Sequence, residues 1–449
     1  MRMPNLLATK NGRLAAFFFL YITEGVPLGF TATAVATQMR RAGLGPDAIG
    51  AFVGSLYLPW AFKWAMGPIV DTITSNRFGR RRTWIVLAQL LMTGTLLAAL
   101  PIDFATRLKV FTTIILVHNV FGATQDVAID ALAVNTLKEE ERGLANGLMF
   151  GGAYLGQAIG GSGVLFLSPY VGFANTYWFV AGFIALITLT VALPLREPAP
   201  EPRPAGPNPL VTVGREIASF AVESVRSFLG TRAAWMGVIF ALLPAGAYAL
   251  GLALQSNLSV ELGMNDTQVG AINLWSSVLS ALGCVAGGWL SDRFGRRRML
   301  GLFVLTMSIP TAILAWQMQQ AGWIMPIAAN VANRPVPPAW LLQAYWVAVL
   351  VYAALQGLSY GVRTALFMDI TNPKVAATQF TAYMALLNFT ISYSANWQGR
   401  AATKWGYPVT LGIDAAFGLL CLAALPFLTP RKEAATAAEP GAAVEPANA

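Results

Sequence analysis

The chain has 449 residues, 56% of them hydrophobic and 11% charged, with 30 Lys and Arg against 21 Asp and Glu. A composition this apolar and charge-poor excludes an ordinary soluble protein of this length and makes a bilayer the natural solvent. The basic excess falls in short blocks between apolar runs, which points to membrane topology and not to nucleic acid, and two cysteines (Cys284, Cys421) with one histidine (His118) leave no disulfide framework, metal site or cofactor motif.

A spanning helix needs about 20 mostly apolar residues. The sequence predicts twelve, at 14–39, 47–70, 83–101, 109–136, 142–167, 175–195, 233–259, 266–290, 299–320, 340–369, 375–400 and 406–429. The first is too long for a signal-peptide core, holds Glu24 and lacks a small-residue cleavage site, so it reads as a retained span. Between the sixth and seventh, residues 197–209 are Pro-rich. Beyond them Leu210, Val213, Ile217, Phe220 and Phe228 recur near helical spacing opposite Arg215, Glu216 and Glu223. Segment 197–232 therefore reads as a linker with an amphipathic helix lying on the membrane surface, joining six-helix units at 1–196 and 233–430. The tail 431–449, rich in Ala, Glu and Pro, reads as disordered. Most Lys and Arg fall on the side shared by the N-terminus, the loops near 80 and 296 and the linker, including Arg2, Arg77, Arg142, Arg203 and Lys374. Only Arg40, Arg41, Arg107, Lys109, Arg334, Arg400 and Lys404 fall on the other, so both termini are expected in the cytoplasm.

The two units repeat one another. GPIVD at 67–71 matches GWLSD at 288–292, each followed by RFGRRR, at 77–82 and 293–298; Pro27 of the first span falls opposite Pro244 of the seventh. In this motif the glycine is expected to permit close helix approach, and the aspartate to meet arginines that bridge helix ends. Asp71, Arg80 and Arg81, with Asp292, Arg296 and Arg297, are the expected gate, a charge lock closing the cytoplasmic side in one state. The motif is similar to the signature of the major facilitator superfamily. That resemblance implies an all-α membrane fold of twelve transmembrane helices in two pseudo-symmetric six-helix bundles that alternate about a central site.

Ionisable groups inside spans are expensive, and each is a functional candidate. Glu24 lies near the middle of the first span, and GATQDVAID in the fourth sets Asp126 and Asp130 four residues apart on one helix face. At 1.5 Å per residue, Lys63 and Asp130 share a depth of about 10 Å, and Glu24 and Asp126 a deeper one of about 15 Å. Three carboxylates against one ammonium leave an acid to take and release a proton, so Glu24, Asp126 and Asp130 are the proton-coupling candidates. In the tenth span Tyr352, Gln356, Ser359, Tyr360 and Arg363 form one stripe. Arg363 either clamps an anionic substrate group or neutralises an acid across the cavity. Tyr154 and Gln157 of the fifth span and Gln379 and Tyr383 of the eleventh are further polar candidates, equally readable as interhelical hydrogen-bonding residues. Asp414 has no assigned role, and His118 reads as packed.

TEGVPLGF at 23–30, PWAFKWAMGPIVD at 59–71, GATQDVAIDALAVNTL at 122–137, EERG at 140–143 and AATQFTAYMALLNF at 376–389 resemble the AmpG-type muropeptide permeases and the related acetyl-coenzyme A transporters. At the seventh span, where those permeases carry a Lys and an acidic residue, this chain reads LLPAGAYALG at 242–251. The resemblance implies a monomeric, proton-coupled importer of an anionic sugar-peptide in a bacterial inner membrane, with Lys63, Gln125, Asp126, Asp130 and Gln379 at the family's polar positions. Its partners are then a small-molecule solute, protons and lipid. A siderophore or other metabolite permease of the same fold, working in either direction, and a non-transporting membrane assembly factor are the alternatives. An enzyme is not expected, because no nucleophile, base or metal-ligand cluster gathers near an interface.

Overall fold

In the computed structural model the described residues are 5–73, 78–197, 209–327, 331, 334–371 and 376–428, and among them the chain is all helical. The calls on Arg2, Arg77, Arg203 and Lys374, on most of the Pro-rich stretch and on the tail lie outside these residues, as does the side chain of Arg142.

Twelve spans form two pseudo-symmetric bundles. In the first they run Lys10–Arg41, 46–72, Arg80–Ala99, Leu108–Thr136, 139–171 and Phe173–Ala192. In the second they run Arg232–Leu242 with Ala253–Glu261, then Asp266–Phe294, Arg296–Gln320, Ala339–Ile370, Ala376–Trp405 and Tyr407–Phe427. Among the described residues seven are long and apolar enough to cross a membrane by length and composition alone.

Small residues set the helix spacing. A Cβ at Gly25, Gly29, Gly156 or Gly160 would collide with the facing backbone where the first and fifth spans cross, and Gly283, Gly287 and Gly357 do the same for the eighth and tenth. Gly67 and Gly288 of the repeated motif, expected to allow such an approach, have no neighbour within 4 Å of a Cβ position. The tight crossing in the second unit sits one residue earlier, at Gly287. The glycine that the repeat does demand is the one inside RFGRRR. Gly79 and Gly295 take φ of +93° and +91° as they open the third and ninth spans, a region that other residues avoid.

The seventh span departs from the continuous helix expected at 233–259. It stops at Leu242 and resumes at Ala253, with Gly246 at φ +85°. Pro27, its counterpart in the first span, stays inside a helix. The break persists because its backbone finds partners on the twelfth span. Gly246 N–H donates to Gly418 O at 2.9 Å, and Tyr248 and Ala249 N–H donate to Asp414 Oδ2 at 2.8 and 2.9 Å. Asp414 thus satisfies freed amide groups.

The helix Pro209–Leu229 lies at the end of the molecule that carries the two arginine-rich loops, hereafter the loop end. Its face at Val213, Phe220, Ser224 and Phe228 turns inward, while Arg215, Glu216 and Glu223 are exposed. Phe220 stacks on Trp64 of the first bundle at 5.3 Å, and Phe228 meets Tyr383 of the second at 5.1 Å, so the helix straddles both.

Candidate functional site

The buried polar groups of the first bundle converge from three spans. The fourth runs unbroken, so Asp126 and Asp130 share one face a turn apart. The second is interrupted after Pro59 and continues as a short 3-10 turn, Lys63–Ala65, at the level of these acids. Lys63 Nζ donates to Asp126 Oδ2 at 2.8 Å and lies 4.0 Å from Asp130 Oδ2. From the first span, Tyr21 OH donates to Asp130 Oδ1 at 2.5 Å. Glu24, one turn further along, is within electrostatic reach of Asp126, Asp130 and Lys63, and its Oε2 is buried without a hydrogen-bond partner. Three carboxyl groups therefore share one ammonium and one phenol. The Asp126 side chain is 4% exposed and that of Asp130 44%, so the cluster runs from a dry interior toward solvent.

The second bundle places Arg363 opposite. It is 5% exposed, donates from Nη1 to Tyr248 OH at 2.5 Å, and stands 5.5 Å from the Tyr360 ring centroid. Tyr360 is within electrostatic reach of Glu24 and Lys63, so the two polar groups influence one another across the bundle interface. Tyr154 comes to the same place, close to Cys284 and Tyr360. Gln356 is half-buried on the Arg363 stripe, and Gln157 is half-buried where the fifth span crosses the first.

Other candidates lie elsewhere. Gln125 is fully buried and donates to Thr23 Oγ1 at 3.0 Å, in a network with Gln89 and Thr188 that ties the first, third, fourth and sixth spans. Gln379 reaches Ser227 O of the straddling helix at 3.4 Å, and Tyr383 OH donates to Ala234 O at 2.9 Å within an aromatic cluster at the loop end. His118 Nδ1 contacts the Met92 carbonyl at 3.0 Å in a buried packing position.

The arginine motifs pair inside their own bundles. Asp71 meets Arg81, whose backbone N–H and that of Arg82 donate to Glu197 at 2.9 and 2.6 Å, while Arg80 opens the same helix. Arg296 bridges Asp369 at 2.6 Å and Asp292 at 3.3 Å, and Arg297 donates to Pro426 O at 3.2 Å. These particular pairs join neighbouring helix ends in this conformation.

Ion pairs that do join the bundles sit at the opposite end, on residues that the sequence presents as ordinary flanking charges. Arg40 of the first span meets Glu261 of the seventh at 2.6 Å, with side chains 2% and 0% exposed. Glu261 also accepts from Tyr407 OH at 2.5 Å and from Ile327 N–H at 2.7 Å. Beside it Arg41 meets Asp266 at 2.6 Å, and Asp266 accepts from Gln38 and Ser168. The same end holds the tight crossing of the second and eleventh spans, where Gly50 packs on Ala395 and Gly399. Toward the loop end these two helices part around an apolar cavity of about 290 Å³, lined by Phe62, Trp64, Phe220, Ala385 and Phe389. The only advance signal for Glu261 is a lone acid closing an apolar run.

Comparison with known proteins places this arrangement. The chain is 27% identical over 382 residues to the anhydromuropeptide permease of Escherichia coli K12, an alignment covering 84% of this chain and 72% of that one. It superposes on the nucleoside transporter NupG with a TM-score of 0.67 at 13% identity, covering 93% and 98% of the two chains. The inward-open xylose transporter XylE from E. coli superposes with a TM-score of 0.65 at 14% identity, covering 93% and 96%. The family model of the Major Facilitator Superfamily matches residues 14–252 and 236–448. Spanning both bundles, that match makes the chain a member of the Major Facilitator Superfamily, a multi-pass membrane transporter and not an enzyme.

Proposed function

We propose that the protein is a proton-coupled importer of anhydromuropeptide-type solutes, working by alternating access with its loop end in the cytoplasm. The observation that carries this reading is the cluster of Glu24, Asp126 and Asp130 around the single ammonium of Lys63. Three carboxylates and one ammonium sum to a charge of minus two when all are ionised, and like charges gathered in a low-dielectric interior favour holding a proton on one of them. Uptake and release of that proton changes the charge facing the solute and biases which end opens. The half-exposed Asp130 supports exchange of the proton with solvent at the loop end. Likeness to the E. coli anhydromuropeptide permease, at 27% identity over most of the chain, supports the solute class. The excess of Lys and Arg on the loop-end side supports the orientation.

Proteoliposomes supply the test. An imposed inward proton gradient is expected to drive accumulation of anhydromuropeptide but not of a ferric siderophore or an acyl-coenzyme A. Accumulation that ignores the gradient rejects coupling, and uptake of only one of the other solutes rejects the substrate. For direction, a cysteine at Ala205 should escape an impermeant reagent in whole cells; ready labelling rejects the orientation.

A further inference from the structure

Arg363 is buried, yet Asp414, the acid that holds the backbone of its partner Tyr248, is engaged elsewhere. Asp414 receives the Tyr248 and Ala249 amide groups on one oxygen and Gln398 Nε2, at 2.6 Å, on the other. Among the described residues no carboxylate lies within ion-pair distance of the Arg363 guanidinium, and its Nε is fully buried without a partner. A buried cation without a counter-ion is costly to hold, and a planar fork with a free edge matches a carboxylate better than a point charge would.

The surroundings fix which edge is free. The break in the seventh span, stitched to Asp414, sets Tyr248 OH on Nη1 and leaves Nε without a hydrogen-bond partner. Tyr360, one turn earlier on the same face and 37% exposed, turns its ring to the guanidinium. Tyr57 and Tyr154 of the first bundle are within electrostatic reach of Tyr360, so aromatic side chains of both bundles gather near Arg363. The two bundles therefore differ in charge at this level: net acidic side chains around Lys63 in the first, and Arg363 in the second.

We propose that Arg363, oriented by Tyr248, is the subsite for a carboxylate of the transported solute, with the tyrosines supporting its ring portion. The inference rests on the transport reading above and adds which group of the solute the second bundle holds. The Nε edge donates to the carboxylate, and loading it supplies the counter-ion that the bundle lacks.

The test uses the purified full-length protein and two probes: an anhydromuropeptide with free carboxylates, and the same compound with those carboxylates amidated. Wild-type protein is expected to bind the acid about tenfold or more tighter than the amide, the usual scale of a charge-assisted hydrogen bond. Arg363→Gln should abolish that preference, weakening the acid far more than the amide. Arg363→Lys, keeping charge but losing the fork, should retain part of it and carries the test if the Gln variant does not fold. Equal weakening of both probes, or a preference unchanged in both variants, overturns the subsite and assigns Arg363 to packing or charge balance. Wild-type protein that binds neither probe overturns the muropeptide reading and this subsite together.

Discussion

The two ends of the molecule use the same pair of side chains to opposite effect. At the loop end, arginines meet Asp71, Asp292 and Asp369 within one bundle and near solvent; at the other end, Arg40 and Arg41 meet Glu261 and Asp266 across the bundles and, for the first pair, out of reach of water. A pair confined to one bundle moves with it and does not resist the parting of the two. A pair across the interface must break when that end opens, and a buried one must then be rehydrated. The comparison separates the elements that hold this conformation from those that stiffen each bundle, and it can be broken by mutation.

The largest effect is expected at Glu261. Glu261→Gln leaves the buried Arg40 without its counter-ion, a loss of about 3–5 kcal/mol by the usual cost of orphaning one member of a buried pair. The thermal midpoint in detergent should fall, and a cysteine at the buried Thr37 nearby should become reactive toward a maleimide. An unchanged midpoint with Thr37→Cys still protected would show that the pair does not hold that end shut.

Next come the acids of the central cluster. Asp126→Asn or Asp130→Asn is expected to abolish uphill accumulation, a drop of about tenfold or more, while counterflow of preloaded solute survives in at least one of them. Because Asp126 is tied to Lys63 at 2.8 Å and Asp130 to Tyr21 at 2.5 Å, loss of folded protein in both variants would assign them to helix packing instead. If both variants still concentrate solute against its gradient, the proton is carried elsewhere, and Glu24 is the next group to change.

The sequence exposes the central cluster more readily than the seal at the far end. Glu24, Lys63, Asp126 and Asp130 stand out because bilayer-depth positions seldom carry charge, and helical rise alone assigns them neighbouring depths. The duplicated RFGRRR loops expose the two bundles in the same way. Arg40, Arg41, Glu261 and Asp266 flank spans, where charge is ordinary, and Arg40 and Glu261 are 221 residues apart, so only the fold unites them. The seventh span hides its break for a related reason. Pro244 and Gly246 weaken a helix, but the unwound chain is held by Asp414 and Gly418 of a distant span accepting the freed amides, whereas Pro27 stays helical. Gln125 and Gln379 show the converse: polarity inside a span identifies a hydrogen bond to be made, not the partner that makes it.

The smallest effect on stability is expected at the loop end, where it also discriminates most. The Asp71 side chain is 43% exposed and that of Asp292 is 69% exposed, so neutralising either should cost at most about 1 kcal/mol. Their kinetic consequences should differ. Asp71 meets Arg81, which also donates to Val70 O at 2.9 Å, joining the end of the second span to the start of the third. Arg296 keeps Asp369 at 2.6 Å when Asp292 is lost, so that corner of the second bundle stays fastened. Asp71→Asn should therefore slow solute exchange while leaving solute affinity within about twofold, and Asp292→Asn should change exchange less. The reverse order, or wild-type exchange in both directions for Asp71→Asn, would mean that the repeated motif only anchors loops, and that conformational control in this protein rests on the charges at the other end.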